Sequence, residues 1–87
     1  MTRIFEGGQP IAVTCDANGK PMRFTWRGHV NKIDRILETW EVHTDWWDSE
    51  GEVHRTNWAV LTAEGVLCVI IADHLAGGAW HLLRVYD

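Results

Sequence analysis

Apolar and polar residues alternate along most of this chain in short runs, and the runs are punctuated by Asn18-Gly19, Arg27-Gly28, Glu64-Gly65 and Gly77-Gly78. A period of two sends successive side chains to opposite faces of a strand, so the pattern predicts a series of hairpins, each burying one face. Ile11, Val13 and Cys15 alternate with Ala12 and Thr14 ahead of Asn18-Gly19, a dipeptide suited to the positive φ of a tight hairpin turn. Met22, Phe24 and Trp26 resume the alternation, with Pro21 at an edge or strand entry. Farther on, Asp48 to Glu52 is a turn by composition, and Val53 to Thr62 alternates again up to the Ala63-Glu64-Gly65 turn. The near-continuous apolar run of Val66 to Asp73 marks a central strand buried on both faces, and Trp80 to Tyr86 follows after Leu75-Ala76-Gly77-Gly78. The second half therefore reads as a three-stranded meander.

Between His29 and His43 two periods compete. Ile33, Ile36, Leu37 and Trp40 have the spacing of an amphipathic helix, whereas the β-branched Val30, Ile33, Ile36, Thr39 and Val42 and the missing caps favour a strand. A strand needs a change of phase, because Ile33 and Leu37 share one parity while Trp40 and Val42 share the other. A β-bulge near Leu37 to Thr39 supplies that change and also bends the strand. The bent strand is preferred, and the predicted fold is mainly β: a small bent antiparallel sheet or SH3-like barrel of five to six strands.

Eighty-seven residues make one domain, with residues 1–10 read as a flexible N-terminal arm because of Gly7-Gly8 and Pro10, and residues 11–87 as the β domain. A chain this short buries only about 60–65% of its unfolded surface, so large apolar side chains are needed inside. Six tryptophans meet that need before any function is assigned to them. Cys15 and Cys68 form no CxxC pair and are expected as buried free thiols in a reducing compartment. The start of the chain lacks a signal-peptide core, and its longest apolar run is far below the roughly 20 residues of a membrane helix, so a cytoplasmic protein off the membrane is expected.

The net charge of −4 argues against a strong nonspecific grip on nucleic acid. The charges are nonetheless divided: Lys20, Arg23, Arg27, Lys32 and Arg35 precede an acidic stretch of Glu38, Glu41, Asp45, Asp48, Glu50 and Glu52. Arg23, Trp26, Arg27, Lys32 and Arg35 are candidate single-strand nucleic-acid contacts, although strand alternation alone yields a buried Trp26 beside solvated cations. Adjacent Trp46 and Trp47 point to opposite faces of a strand, so one is exposed unless a bend, another strand or a partner covers it; with Asp45 and Asp48 they are candidate protein-binding residues, and a ring packed over the open end of a barrel is the equal alternative.

Ile11-Ala12-Val13, Asn18-Gly19-Lys20-Pro21, Phe24-Thr25-Trp26-Arg27-Gly28, Ile36-Leu37-Glu38-Thr39-Trp40, Trp46-Trp47 and Trp80-His81-Leu82 resemble a bacterial domain-of-unknown-function family. Its members occur as short free-standing chains and at the C-terminus of Y-family-polymerase-like mutasome subunits. The resemblance implies a neighbourhood in DNA damage tolerance and supplies no catalytic motif.

Five histidines raise the question of metal, but His43 with Asp45, and Asp73 with His74, lack a spacing specific to a known site, and no metal or other cofactor is predicted; only a fold that gathers His43, Asp45, His54 or His74 around a cleft would revive metal-dependent or hydrolytic chemistry. Cys68 lies amid Val66, Leu67, Val69 and Ile70, where burial makes a poor nucleophile, so no catalytic residue is assigned. The sequence thus points to a noncatalytic protein-interaction module, with a mutasome subunit as the implied partner. A weak single-strand nucleic-acid binder is the alternative, and a homodimer is a further option.

Overall fold

The computed structural model describes residues 2–44 and 53–86. Six antiparallel strands follow one another: β1 (Thr2–Cys15), β2 (Pro21–Trp26), β3 (His29–Thr44), β4 (Val53–Thr62), β5 (Leu67–Asp73) and β6 (Ala79–Tyr86), with a single 3-10 turn at His74–Ala76 before the last. Each strand pairs with the next and β6 returns to β1, closing a barrel. The long strands β1 and β3 serve two sheets. Their inner portions flank β2, through pairs such as Val13 with Phe24 and Arg23 with Lys32, and their outer portions join β4, β5 and β6.

Three turns show how short-range chemistry sets this order. At Asp16–Lys20 the Gly19 N–H donates to the Asp16 carbonyl, Asp16 N–H donates to the Lys20 carbonyl, and Gly19 takes φ 81°. This is a three-residue loop with glycine in the left-handed position, braced by the Asp16 carboxylate, which accepts from the Asn18 and Lys20 amides. Thr62–Val66 repeats the construction with Gly65 at φ 83°. Arg27 and Gly28, both at positive φ, form a two-residue loop between paired Trp26 and His29.

The stretch from His29 to Thr44 is strand throughout, and the helical spacing of its apolar residues has a strand explanation. Ile33 pairs with Thr62 and Arg35 with Leu61, then Ile36 with Val60 and Glu38 with Ala59, so Asp34 and Leu37 are each one residue too many for the ladder. Each extra residue flips the phase, which puts Ile33 and Ile36, three apart, on the same inner face. The bulge at Leu37 falls within the expected Leu37–Thr39, and a second, at Asp34, was not anticipated.

Residues 2–10 are not a loose arm. Thr2 to Ile4 and Gln9 to Ile11 pair with β6, and Gly7-Gly8 marks the register shift between these two stretches. Gly8 has φ 81°, and a β-carbon there would meet the His81 β-carbon at 2.7 Å, so close backbone approach requires glycine. The signal read as a break in structure is a bulge inside a strand.

The core is Phe24, Val60, Cys68, Ile70, Leu82 and Val85, all buried. Full burial of Val60, Ile70 or Leu82 contributes about 1.5–3 kcal/mol each. Trp26, Trp58 and Trp80 pack around this aliphatic centre from its margins, Trp58 and Trp80 with ring centroids 6.3 Å apart. The interior is thus filled by Phe24 and aliphatic side chains, with indoles at its margins. Of the two thiols, Cys68 is buried as expected but Cys15 is exposed. No helix among the described residues is long and apolar enough to cross a membrane.

Candidate functional site

Strand β5 explains where a site can lie. Cys68 and Ile70 point into the barrel, so Val69 and Ile71 point out, yet Ile71 retains only 3% of its exposure and Val69 is also buried. The pairing lays out what surrounds them on the outer face: Trp40 beside Asn57, Asn57 beside Ile71, Ala59 beside Val69, Val69 beside Arg84, and Leu67 beside Tyr86. Four strands therefore contribute to one open groove of about 400 Å³, walled by Glu38 and Trp40 on β3 and by Leu83, Arg84 and Tyr86 on β6, with Asn57, Ala59, Leu67 and Val69 as its floor.

The groove carries an apolar floor, two aromatic side chains and opposite charges at its two walls. Arg84 donates from Nη1 to the Tyr86 hydroxyl at 3.2 Å, which orients the guanidinium along β6. Trp40 keeps 37% of its surface in solvent. Asn57, at 8% exposure, holds a buried Oδ1 with no hydrogen-bond partner among the described residues. An unsatisfied buried acceptor costs about 1–3 kcal/mol, so a donor that reached Asn57 Oδ1 would relieve that cost.

The predicted nucleic-acid residues are only partly brought together. Arg23 and Lys32 pair across β2 and β3 on the outer face, whereas Arg35 lies beyond the Asp34 bulge and within 3.9 Å of the Asp34 carboxylate. Trp26 faces the core instead: Phe5 meets it edge-on at 5.4 Å, and the Arg27 guanidinium sits 4.6 Å over its ring. Its surface is engaged by the protein itself, and no other aromatic side chain interrupts the pairs Ala12–Thr25, Thr14–Arg23 and Thr25–Val30 of that sheet. The predicted protein-binding residues Asp45, Trp46, Trp47 and Asp48 lie outside the described residues.

The histidines gather. His43 and His54 pair across β3 and β4 with rings stacked at 4.5 Å, His54 and His74 have centroids 4.5 Å apart, and Glu41 approaches His54 at 4.0 Å. Donor atoms of Glu41, His54 and His74 lie within 4.8 Å of one another, a grouping set by strand pairing and the turn after β5. Cys15 is a poor nucleophile: partial burial first, and the neighbouring Asp16 charge second, raise its pKa.

With the barrel and its groove defined, residues 7–87 match the family described as Domain of unknown function (DUF6504). The chain belongs to this family. The match runs from the Gly7-Gly8 bulge of β1 through the end of β6, so the DUF6504 region includes all four strands of the groove as well as the histidine cluster. Neither a curated protein nor a solved structure matches the chain.

None of the groove residues was a candidate on sequence grounds. The one available signal was the apolar run of β5, which predicted burial on both faces without saying what lies on the outer one.

Proposed function

We propose that this DUF6504 chain is a noncatalytic interaction module that seats a short extended segment of a partner protein in the groove outside β4, β5 and β6. The observation that carries the reading is the orphan Asn57 Oδ1, nine-tenths buried at the floor of a groove with Trp40 on one wall and Arg84 and Tyr86 on the other. A backbone N–H of the bound segment satisfies Asn57, an apolar side chain covers Leu67 and Val69 against Trp40, and an acidic side chain pairs with Arg84. The groove is built from side chains of β3 to β6, which supports recognition by side chains over a wide face. The damage-tolerance neighbourhood implied by the sequence resemblance makes segments of mutasome subunits the first partners to test.

The alternative of single-strand nucleic-acid binding has Arg23 and Lys32 in its favour but lacks a free stacking ring beside them.

A peptide array tiled from mutasome subunits and scrambled controls tests the reading. Bound peptides are expected to combine an acidic with an apolar residue, and Trp40→Ala and Arg84→Glu to weaken capture at least about tenfold while Arg23→Glu leaves it unchanged. Capture that is insensitive to Trp40 and Arg84 but falls with Arg23→Glu would overturn it. Self-association lost with the groove variants would instead identify a second copy as the occupant.

A further inference from the structure

On the opposite side of strand register from the groove chemistry, β3, β4 and the 3-10 turn bring three metal-type donors to one place. Glu41 comes from β3, His54 from β4 and His74 from the first position of the turn. We propose that Glu41, His54 and His74 bind a divalent transition ion of the zinc class, and that the ion ties the turn after β5 to the β3–β4 ribbon.

Each donor is positioned by a neighbour. His74 is held where Asp73 caps the turn, accepting from the Leu75 amide at 3.1 Å, and where Gly77 in the left-handed conformation stops it. Its Nε2 lies 2.7 Å from the Thr56 hydroxyl. When that nitrogen carries the proton and donates to Thr56, the lone pair on Nδ1 is left for a metal, the arrangement by which outer partners fix the tautomer of ligating histidines. His54 is sandwiched by two rings, His43 at an interplanar angle of 25° and His74 at 45°. Because His43 stacks face to face on His54, its nitrogens lie in a parallel plane rather than converging with those of the other rings, and His43 is a support and not a ligand.

Two imidazoles and a carboxylate are a donor set typical of zinc and distinct from the all-oxygen sets of calcium or magnesium. Tetrahedral bonds near 2.0–2.1 Å place ligand atoms about 3.3 Å apart, so the cluster, with atoms within 4.8 Å, closes by at most about 1.5 Å on binding. Glu41 is exposed and free to make that adjustment by side-chain rotation. Three protein ligands leave the fourth position of a tetrahedral ion to water or to an added donor.

Titration of the tag-free protein with Co²⁺, followed by its visible absorption and then displaced by Zn²⁺, tests the site. One equivalent is expected to bind with the spectrum of a nitrogen- and oxygen-ligated tetrahedral ion, and Mg²⁺ is not expected to compete. His54→Ala and His74→Ala should weaken Zn²⁺ by more than tenfold, and Thr56→Val by about tenfold through the second ring nitrogen. His43→Ala and Cys15→Ser should bind like the parent, and circular dichroism should show every variant folded. No bound ion at up to about 1 mM metal, or equal binding by folded His74→Ala, overturns the proposal; so does loss of binding in Cys15→Ser.

Discussion

The outer faces of the two sheets differ in a way their strand patterns do not announce. Over β1, β2 and the first part of β3, the outward residues Ala12, Thr14, Arg23, Val30 and Lys32 are all exposed, Val30 to 56%. Over β4, β5 and β6 the outward Asn57, Val69 and Ile71 are as buried as core residues. One sheet has a single packed face and the other has two. A closed barrel of this size needs only its inside filled, so the second packed face is additional to what closure requires.

The largest effect that would test this contrast is a pair of truncations. Ile71→Ala, although it points away from the barrel interior, is expected to destabilise by about 2–4 kcal/mol in denaturant titration, whereas Val30→Ala stays within about 0.5 kcal/mol. Equal small losses would erase the distinction between the sheets. Gly8→Ala should cost at least about 2 kcal/mol, because the left-handed backbone and the clash with the His81 β-carbon add. Gly28→Ala, also at positive φ but with nothing within 4 Å, should cost about 1 kcal/mol. Asn57→Leu removes the orphan acceptor and is expected to raise stability by about 1 kcal/mol while weakening peptide capture, a trade of stability against binding that no residue of the basic sheet should show.

The smallest effect concerns Cys15. Its raised pKa means that the folded thiol holds its proton more tightly, so iodoacetamide should modify it more slowly in the native chain than in the unfolded one near pH 8, with the two rates converging as pH rises above the native pKa. Cys68 should resist modification until the barrel opens.

The hairpins were legible because their causes are local. Asn18-Gly19, Arg27-Gly28 and Glu64-Gly65 stand where positive-φ turns occur, and the β4–β5–β6 meander follows from turn spacing and the apolar run of β5. Bulges were harder to read. A residue such as Leu37 looks helical or out of phase until its partner is known, and Gly7-Gly8 looks like an interruption when the strand continues on its far side. The groove was illegible for a related reason, and for the histidines the residues could be named but not whether they meet. Trp40, Asn57, Val69 and Arg84 become neighbours only through three successive strand registers, and His43 meets His54 only through the pairing of β3 with β4. Side-chain type carries such information poorly when the contact is set by partners far away in the chain.

Pairing of Thr2 with Tyr86 joins the two ends of the described chain. Loop closure over so many residues is entropically slow, which places this seam late in folding, after the local hairpins have formed. During synthesis β1 emerges before β6, so the pairing of Thr2 with Tyr86 can form only after the other five strands have been made.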